Sequence, residues 1–138
     1  MISTGQRQAL SRCRRQVLAL QADRQALEAK LMGSETLAEG CMVVVRKVCG
    51  KAACRCKRSK RFRHGPFLHL SLLRHGKIKT IHVPRQWEEE VKRGVEAARR
   101  FRKAHQQWKA LQKHMDALWR QVERNRKHVP YEPKKKGG

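Results

Sequence analysis

Hydrophobic positions in the first part of the chain follow a helical period. Between residues 6 and 32, apolar or small side chains recur in steps of three and four, with charged residues between them. They are Leu10, Cys13, Val17, Leu20, Leu27 and Leu31. The pattern predicts an amphipathic helix of the coiled-coil type, interrupted at Arg24 and ended by Gly33. The segment 34–40 is interpreted as a linker, with Gly40 as its hinge.

The pattern changes to that of strands after Cys41. Residues 42–48 are rich in β-branched side chains and form a run too short for a typical helix. Residues 67–73 and 77–83 flank His75-Gly76, where glycine supplies the positive φ that a tight turn requires. We therefore predict a three-stranded antiparallel sheet, with residues 49–66 as a loop.

The last apolar series predicts one long helix. Pro84 suits a first helical turn, and the three glutamates 88–90 lie where the helix dipole favours anions. The helix should end before Val129-Pro130, because a residue that precedes proline disfavours the α region. The stripe of this helix includes all three tryptophans, which we interpret as core residues packed in a seam between helices.

The predicted fold class is α+β. Its parts are an amino-terminal amphipathic helix (1–33), a small sheet with a basic Cys/His loop (34–84), a long basic helix (85–128) and a flexible basic tail (129–138). The two helices are predicted to pack as an antiparallel coiled-coil hairpin. The alternative is a homodimer through the long helix, whose stripe is longer than that of its partner in the chain.

Charge dominates the composition of this 138-residue chain. Lys and Arg number 34 against 11 Asp and Glu, which gives a net charge of +23 and a sequence pI of about 11.1. Such a surface favours a polyanionic partner. The chain contains 39% hydrophobic and 5% aromatic residues, enough for a modest core but not for a large enclosed substrate cavity. It also lacks paired acids with metal-site spacing, a Walker loop and a serine elbow, so we predict a protein that is not an enzyme.

One cluster of residues has chemical specificity. Cys49, Cys54, Cys56 and His64 can close a tetrahedral Zn²⁺ site, since zinc prefers sulfur and nitrogen ligands. The spacing differs from the usual pair of Cys-x2-Cys knuckles. The alternative is a reduced pair of cysteines on a basic loop, with Cys49 tucked under the sheet as a small hydrophobe. Cys41 is a spare ligand candidate, while Cys13 is assigned to the helix seam.

Cations surround this cluster. We predict that phosphate contacts are made by the loop and the sheet, through Arg46, Lys47, Lys51, Arg55, Lys57, Arg58, Lys60, Arg61, Arg63, Lys77 and Lys79. Nucleic acid is the expected partner. Single-strand binders usually display aromatic stacking platforms, but the sheet offers only Phe62 and Phe67, so duplex binding is favoured over single-strand recognition. Duplex DNA is the preferred partner, and RNA remains open.

A set of short motifs resembles a known family. Cys49-Gly50-Lys51 with Cys54 and Cys56, then His64-Gly65-Pro66-Phe67, are its most specific signatures. They are similar to a domain of unknown function in small bacterial proteins, often encoded near transposases and recombinases. The resemblance covers about residues 30–100 and implies a mobile-element context, but it supplies no activity. Three strands followed by a helix is also the layout of small DNA-binding domains of some tyrosine recombinases.

These observations lead to a functional expectation. We expect a non-enzymatic DNA-binding accessory protein of a transposition or site-specific recombination system, with a recombinase or transposase as a further partner. A structured-RNA or ribonucleoprotein component is the first alternative. A helical adaptor that binds an acidic protein is the second. With no secretory signal and no membrane partner expected, the predicted location is cytoplasmic and nucleoid-associated.

Overall fold

The computed structural model describes residues 1–132 and 134–137. The main elements are α1 (Thr4–Leu31), β1 (Cys41–Lys47), β2 (His64–Arg74), β3 (Lys77–His82) and α2 (Glu88–Arg126). Three-residue 3₁₀ turns occupy Arg55–Lys57, Lys60–Phe62 and Arg85–Trp87. The predicted α+β fold is confirmed: along the chain, a helix is followed by a three-stranded antiparallel sheet and a long second helix.

The chain divides into two compact units. The hairpin unit joins Met1–Gly33 to the part of the chain from Lys103 onward, and the sheet unit is Ser34–Arg102. No helix in the described residues is both long enough and apolar enough to cross a bilayer. The described part of the predicted tail, 129–138, forms neither helix nor strand, and Pro133 and Gly138 of that tail lie outside the described residues.

In the hairpin unit, helix α1 begins at a capping box. The Gln6 amide donates to Ser3 Oγ at 3.2 Å, and the Ser3 amide donates to Gln6 Oε1 at 2.7 Å. This reciprocal pair satisfies two backbone donors that a helix amino terminus otherwise leaves without partners. The polar residues ahead of the first apolar position therefore fix where α1 starts.

The seam between the helices is antiparallel, as predicted. Cys13 and Val17 of α1 form a buried cluster with Leu118 of α2, and Leu20 and Val122 pack against it. The Cys13 thiol lies 3.4 Å from Gln121 Oε1. Early positions of α1 thus contact late positions of α2, which confirms the hairpin and the placement of Cys13.

Two sequence interpretations of the seam are wrong in part. Arg24 does not simply break the stripe: it lies in the seam, with its Nε 3.6 Å from Glu28 Oε1 and its Nη1 3.9 Å from the sulfur of Met115. Trp119 is 51% exposed, because it follows the buried Leu118 and one residue turns a side chain by about 100° around a helix.

The interpretation of Trp87 as a core residue of the long helix is also wrong. Trp87 lies in the 3₁₀ turn ahead of α2, which begins at Glu88 rather than directly after Pro84, and it is 50% exposed. Among the described residues, Trp108 is the one tryptophan with a hydrogen bond across the seam, to Glu28.

In the sheet unit, the strand order is β1-β2-β3 and both pairings are antiparallel. His75 (φ 51°) and Gly76 (φ 77°) form the turn between β2 and β3. Positive φ at both central residues matches the right-handed twist of the strands, as in mirror-image hairpin turns. The predicted hairpin and its turn are confirmed.

Besides Cys56 of the loop, the buried apolar side chains of the sheet unit come from β2, from the residue that follows β3 and from the first part of α2. They are Leu68, Leu72, Val83, Ala97 and Ala98. The segment before β1 is held to α2 by a hydrogen bond from the Ala38 amide to the Gly94 carbonyl, at 3.0 Å. Gly40 is less a hinge than a point of close approach, because a Cβ there would collide with the Ser71 carbonyl and the Leu72 side chain.

Candidate metal centre and basic loop

Three cysteines and a histidine come together where the loop joins the sheet. The ligand atoms of Cys49, Cys54, Cys56 and His64 all lie within 4.8 Å of one another. The sulfurs of Cys49 and Cys56 are 3.6 Å apart, and Cys54 Sγ lies 3.3 Å from His64 Nε2. The predicted grouping is confirmed, and these four residues can hold a metal ion.

Three parts of the backbone position the four ligands. Cys49 follows β1, Cys54 and Cys56 bracket the start of the first 3₁₀ turn, and His64 begins β2. In the sheet register, His64 lies opposite Lys47, so the two strands bring the ends of the loop together. Gly65 follows with φ 122°, a conformation that a side chain there would strain.

Backbone hydrogen bonds hold the loop around the four ligands. The Cys49 amide donates to Cys56 Sγ at 3.3 Å, as an outer-shell donor does at a thiolate ligand. The amides of Cys54 and Arg58 donate to Lys51 and Arg55 carbonyls at 3.3 and 3.0 Å. Cys56 is only 2% exposed, whereas His64 is exposed. The cluster therefore has one buried sulfur and one side that faces solvent.

The thiols differ in acidity. Hydrogen bonds lower the pKa of the Cys54 thiol to about 6. In order of effect, they come from the Cys56 backbone, the Cys56 thiol, His64 and Cys49. Burial raises the pKa of Cys56 above the usual range of a thiol. Since a thiolate is the metal-binding form of cysteine, Cys54 is the sulfur best prepared to bind a metal.

The remaining cysteines and histidines of interest lie elsewhere. Cys41, the spare ligand candidate, lies on β1 opposite Ser71 and outside the cluster. His69 and His82 face each other across β2 and β3, with ring centroids 5.4 Å apart. His69 is buried, and its Nε2 has no hydrogen-bond partner within the described part of the chain.

Nine of the predicted phosphate-binding residues lie on or beside the loop. All nine are exposed: Arg46, Lys47, Lys51, Arg55, Lys57, Arg58, Lys60, Arg61 and Arg63. Among the described residues, none of them is in a salt bridge. From residue 40 to residue 87 the chain has 13 Lys and Arg and no Asp or Glu. We refer to these nine residues as the loop cations.

The other two predicted phosphate-binding residues do not join the loop cations. Lys77 and Lys79 lie opposite Arg74 and Leu72, toward the far end of β2 from His64. Arg74 is ten steps along the strand from His64, a distance of about 33 Å at the rise of a strand. The structure thus separates the predicted set into the loop cations and a pair of lysines near the turn between β2 and β3.

Phe62 organises part of the loop, a role that sequence reasoning did not identify. The guanidinium carbons of Arg55 and Arg61 lie 4.9 and 4.8 Å from the centre of its ring. Cation–π contacts at this distance restrain long basic side chains that otherwise move freely in water. A lone aromatic residue within a run of arginines was the available signal.

One comparison identifies related sequences. Residues 17–93, more than half of the chain, match a family model described as a domain of unknown function, DUF6788. This span contains the whole sheet, the loop and all four potential metal ligands. No curated protein and no solved structure matches the chain.

Proposed function

The chain belongs to the DUF6788 family, and we propose that its sheet unit is a zinc-stabilised module that binds the phosphate backbone of duplex DNA. The observation that carries the proposal is the set of nine exposed loop cations, none of them in a salt bridge among the described residues. A folded surface with this charge and no carboxylate between residues 40 and 87 suits repeated phosphates.

Zinc is the metal that the donor set favours. Three sulfurs and one imidazole nitrogen form a closed Cys₃His set of the kind found in structural zinc sites. Ideal tetrahedral bonds would place two sulfurs about 3.8 Å apart and a sulfur about 3.6 Å from a nitrogen. Two of the separations here are 3.6 and 3.3 Å, and all of them lie within 4.8 Å, so shifts of up to about 1 Å would bring the four atoms around one ion.

The metal would act through structure rather than chemistry. Two 3₁₀ turns of three residues each are too short to hold the loop by themselves. Within those turns the only buried side chain is that of Cys56, itself a potential ligand. A bound ion would supply the cross-link that the small core does not, and so fix the directions of the surrounding cations.

The preference for duplex DNA over single strands rests on Phe62. Its ring is already in contact with the guanidinium groups of Arg55 and Arg61, and this arrangement competes with stacking of a base on the same ring. The two arginines are instead held where their guanidinium groups can contact phosphate oxygens. A role as accessory factor in transposition or recombination is the wider part of the proposal, and it depends on the family resemblance of the motifs.

The test is a salt titration of affinity for a short DNA duplex. The loop variant replaces four loop cations together with Ala: Lys57, Arg58, Lys60 and Arg61. A control variant loses the same charge from exposed positions of the hairpin unit: Arg12, Arg15, Lys109 and Lys113. We expect the loop variant to bind about tenfold more weakly or worse, with the slope of log K against log salt reduced by about 3. The control should keep most of the slope.

Competition assays identify the polymer. Duplex DNA should displace labelled duplex at lower concentration than duplex RNA or single-stranded DNA of the same length. If the loop variant and the control variant bind alike, the loop is not the binding surface and the proposal is wrong. If duplex RNA binds more tightly than duplex DNA, the result would favour a component of a ribonucleoprotein instead.

A further inference from the structure

An apolar groove lies along the hairpin unit. It has a volume of about 430 Å³, and its apolar walls are Leu10, Val17 and Leu18 of α1 and Trp119 and Val122 of α2. Leu18 is 65% exposed and Trp119 is 51% exposed. Two large apolar side chains are therefore presented to solvent on either side of the same groove.

The dimensions of this hairpin groove match those of a helix. Its α1 wall runs from Leu10 to Gln21, which is about 17 Å at the helical rise. A helix of about 11 residues spans that length. Apolar side chains on its successive turns, three to four residues apart, would fill the space beside Leu18 and Trp119. A third helix in this position would extend the seam into a three-helix arrangement.

The charges at the groove select the kind of helix. Arg14 and Arg126 line it, and no carboxylate does. The hairpin unit as a whole has sixteen Lys and Arg against five Asp and Glu. A second copy of the chain would bring the same arginines together, and like charges brought face to face oppose association. A nucleic acid backbone would satisfy the arginines but leave the apolar walls in contact with water.

We propose that the hairpin groove binds an amphipathic helix of a second protein, with acidic residues on both sides of its apolar stripe. Leu18 and Trp119 contact the stripe, and Arg14 and Arg126 pair with the flanking carboxylates. The proposal is independent of nucleic acid binding, because the groove and the loop cations are in different units.

The test uses the full chain and three labelled 15-residue peptides. The first has leucines at helical spacing with flanking glutamates. The second has the same composition in scrambled order, and the third has lysines in place of the glutamates. Fluorescence anisotropy measures binding. Trp119→Ala removes a groove wall, and Trp87→Ala is the matched control, since the two tryptophans are about equally exposed.

We expect the amphipathic acidic peptide to bind about tenfold more tightly than either of the other peptides. Trp119→Ala should weaken that binding about tenfold, as truncation of an aromatic anchor does, and Leu18→Ala should weaken it in the same direction. Trp87→Ala should leave it unchanged. Helical circular dichroism confirms that each variant folds.

Four results would overturn the proposal. Equal binding of the scrambled peptide would mean that charge alone attracts it, and equal losses from the two tryptophan variants would place the contact elsewhere. Self-association of the protein that Trp119→Ala abolishes would show that the occupant is a second copy. Failure of the amphipathic peptide to bind at all would also reject the acidic helix.

Discussion

The indole Nε1–H of Trp108 on α2 donates a 3.1 Å hydrogen bond to the carboxylate of Glu28 on α1. The same carboxylate lies 3.6 Å from Nε of Arg24, and the Arg24 guanidinium extends to Met115. The Trp108–Glu28 and Arg24–Met115 contacts join the two helices and depend on this antiparallel register, although Arg24 Nε itself has no hydrogen-bond partner among the described residues. The seam is therefore specified by a polar contact as well as by its apolar side chains.

Replacing Trp108 should show how much this contact stabilises the hairpin. Trp108→Phe removes the indole donor and part of the ring, and we expect the free energy of unfolding to fall by about 1 to 3 kcal/mol. Urea denaturation followed by circular dichroism measures it. Trp87→Phe is the control and should change the free energy by less than about 0.5 kcal/mol, because that side chain is half exposed. Equal effects of the two substitutions would contradict the assigned role.

Metal content should depend on the four ligands and not on cysteine in general. Protein purified under reducing conditions without added metal is expected to contain about one zinc per chain, measured by elemental analysis. Cys56→Ser should lower this value to near zero. Cys41→Ser should retain it, because Cys41 is exposed on β1 and outside the cluster. Folded, reduced wild-type protein without zinc would disprove the metal assignment.

Removal of the metal should loosen the loop while the helices persist. We expect a chelator to lower affinity for duplex DNA about tenfold or more, because the loop cations lose their fixed directions. The helical circular dichroism signal should change little, since α1 and α2 contain none of the four ligands. Zinc added back should restore binding. Collapse of the helical signal on chelation would argue that the metal holds the whole fold.

Phe62 should affect affinity without affecting charge. Phe62→Leu keeps every cation but removes the ring that restrains Arg55 and Arg61. We expect duplex affinity to fall about threefold to tenfold, as expected for two cation–π contacts, with the salt slope nearly unchanged. Arg61→Ala should lower the slope as well. If the Phe62→Leu variant binds duplex DNA as tightly as the wild type, the restraint of the two arginines by the ring contributes nothing to affinity.

Acid should destabilise the sheet through His69. Burial, then the charge of Lys47, then His82 lower the pKa of His69 below its usual value. As pH falls from about 6.5 through the lowered pKa, the unfolded chain binds a proton that the folded chain resists, so stability falls. Above that window the contribution to stability is fully present.

The variant His69→Leu isolates this effect. Its urea midpoint should decrease less than that of the wild type between about pH 7 and pH 5, because leucine has no group that binds a proton. The other histidines are the same in both proteins, so their effects cancel in the comparison. His128→Asn is the control at an exposed position and should follow the wild type. Parallel midpoints for the wild type and His69→Leu would show that His69 does not cause the acid sensitivity.

The parts of the structure that local pattern determines were predictable. Helical spacing predicted the seam around Cys13 and Val17, and His75-Gly76 predicted the hairpin turn. The Cys/His grouping was also predictable, because the ends of a short loop between paired strands must meet. Its four ligands are brought together by the register that places His64 opposite Lys47.

Features that depend on register or on side-chain direction were not predictable. Arg24 interrupts the stripe in sequence, and nothing local shows that Glu28 and Met115 lie where they can contact it. Trp119 differs from its buried neighbour Leu118 by one step around the helix, which a series of approximate threes and fours does not resolve. The contact of Phe62 with Arg55 depends on two successive 3₁₀ turns.

The lack of any carboxylate from residue 40 to residue 87 limits how this surface can respond to its environment. Lysine and arginine remain ionised throughout the physiological range of acidity, and there is no aspartate or glutamate in the stretch whose neutralisation could alter the balance. The charge of the lysines and arginines themselves should therefore stay constant near neutral pH, and any pH dependence of the surface would come from the histidines and cysteines of the same stretch. For those lysines and arginines, the concentrations of potassium and magnesium would be the variables that tune attraction for an anion, because mobile ions screen exposed charges.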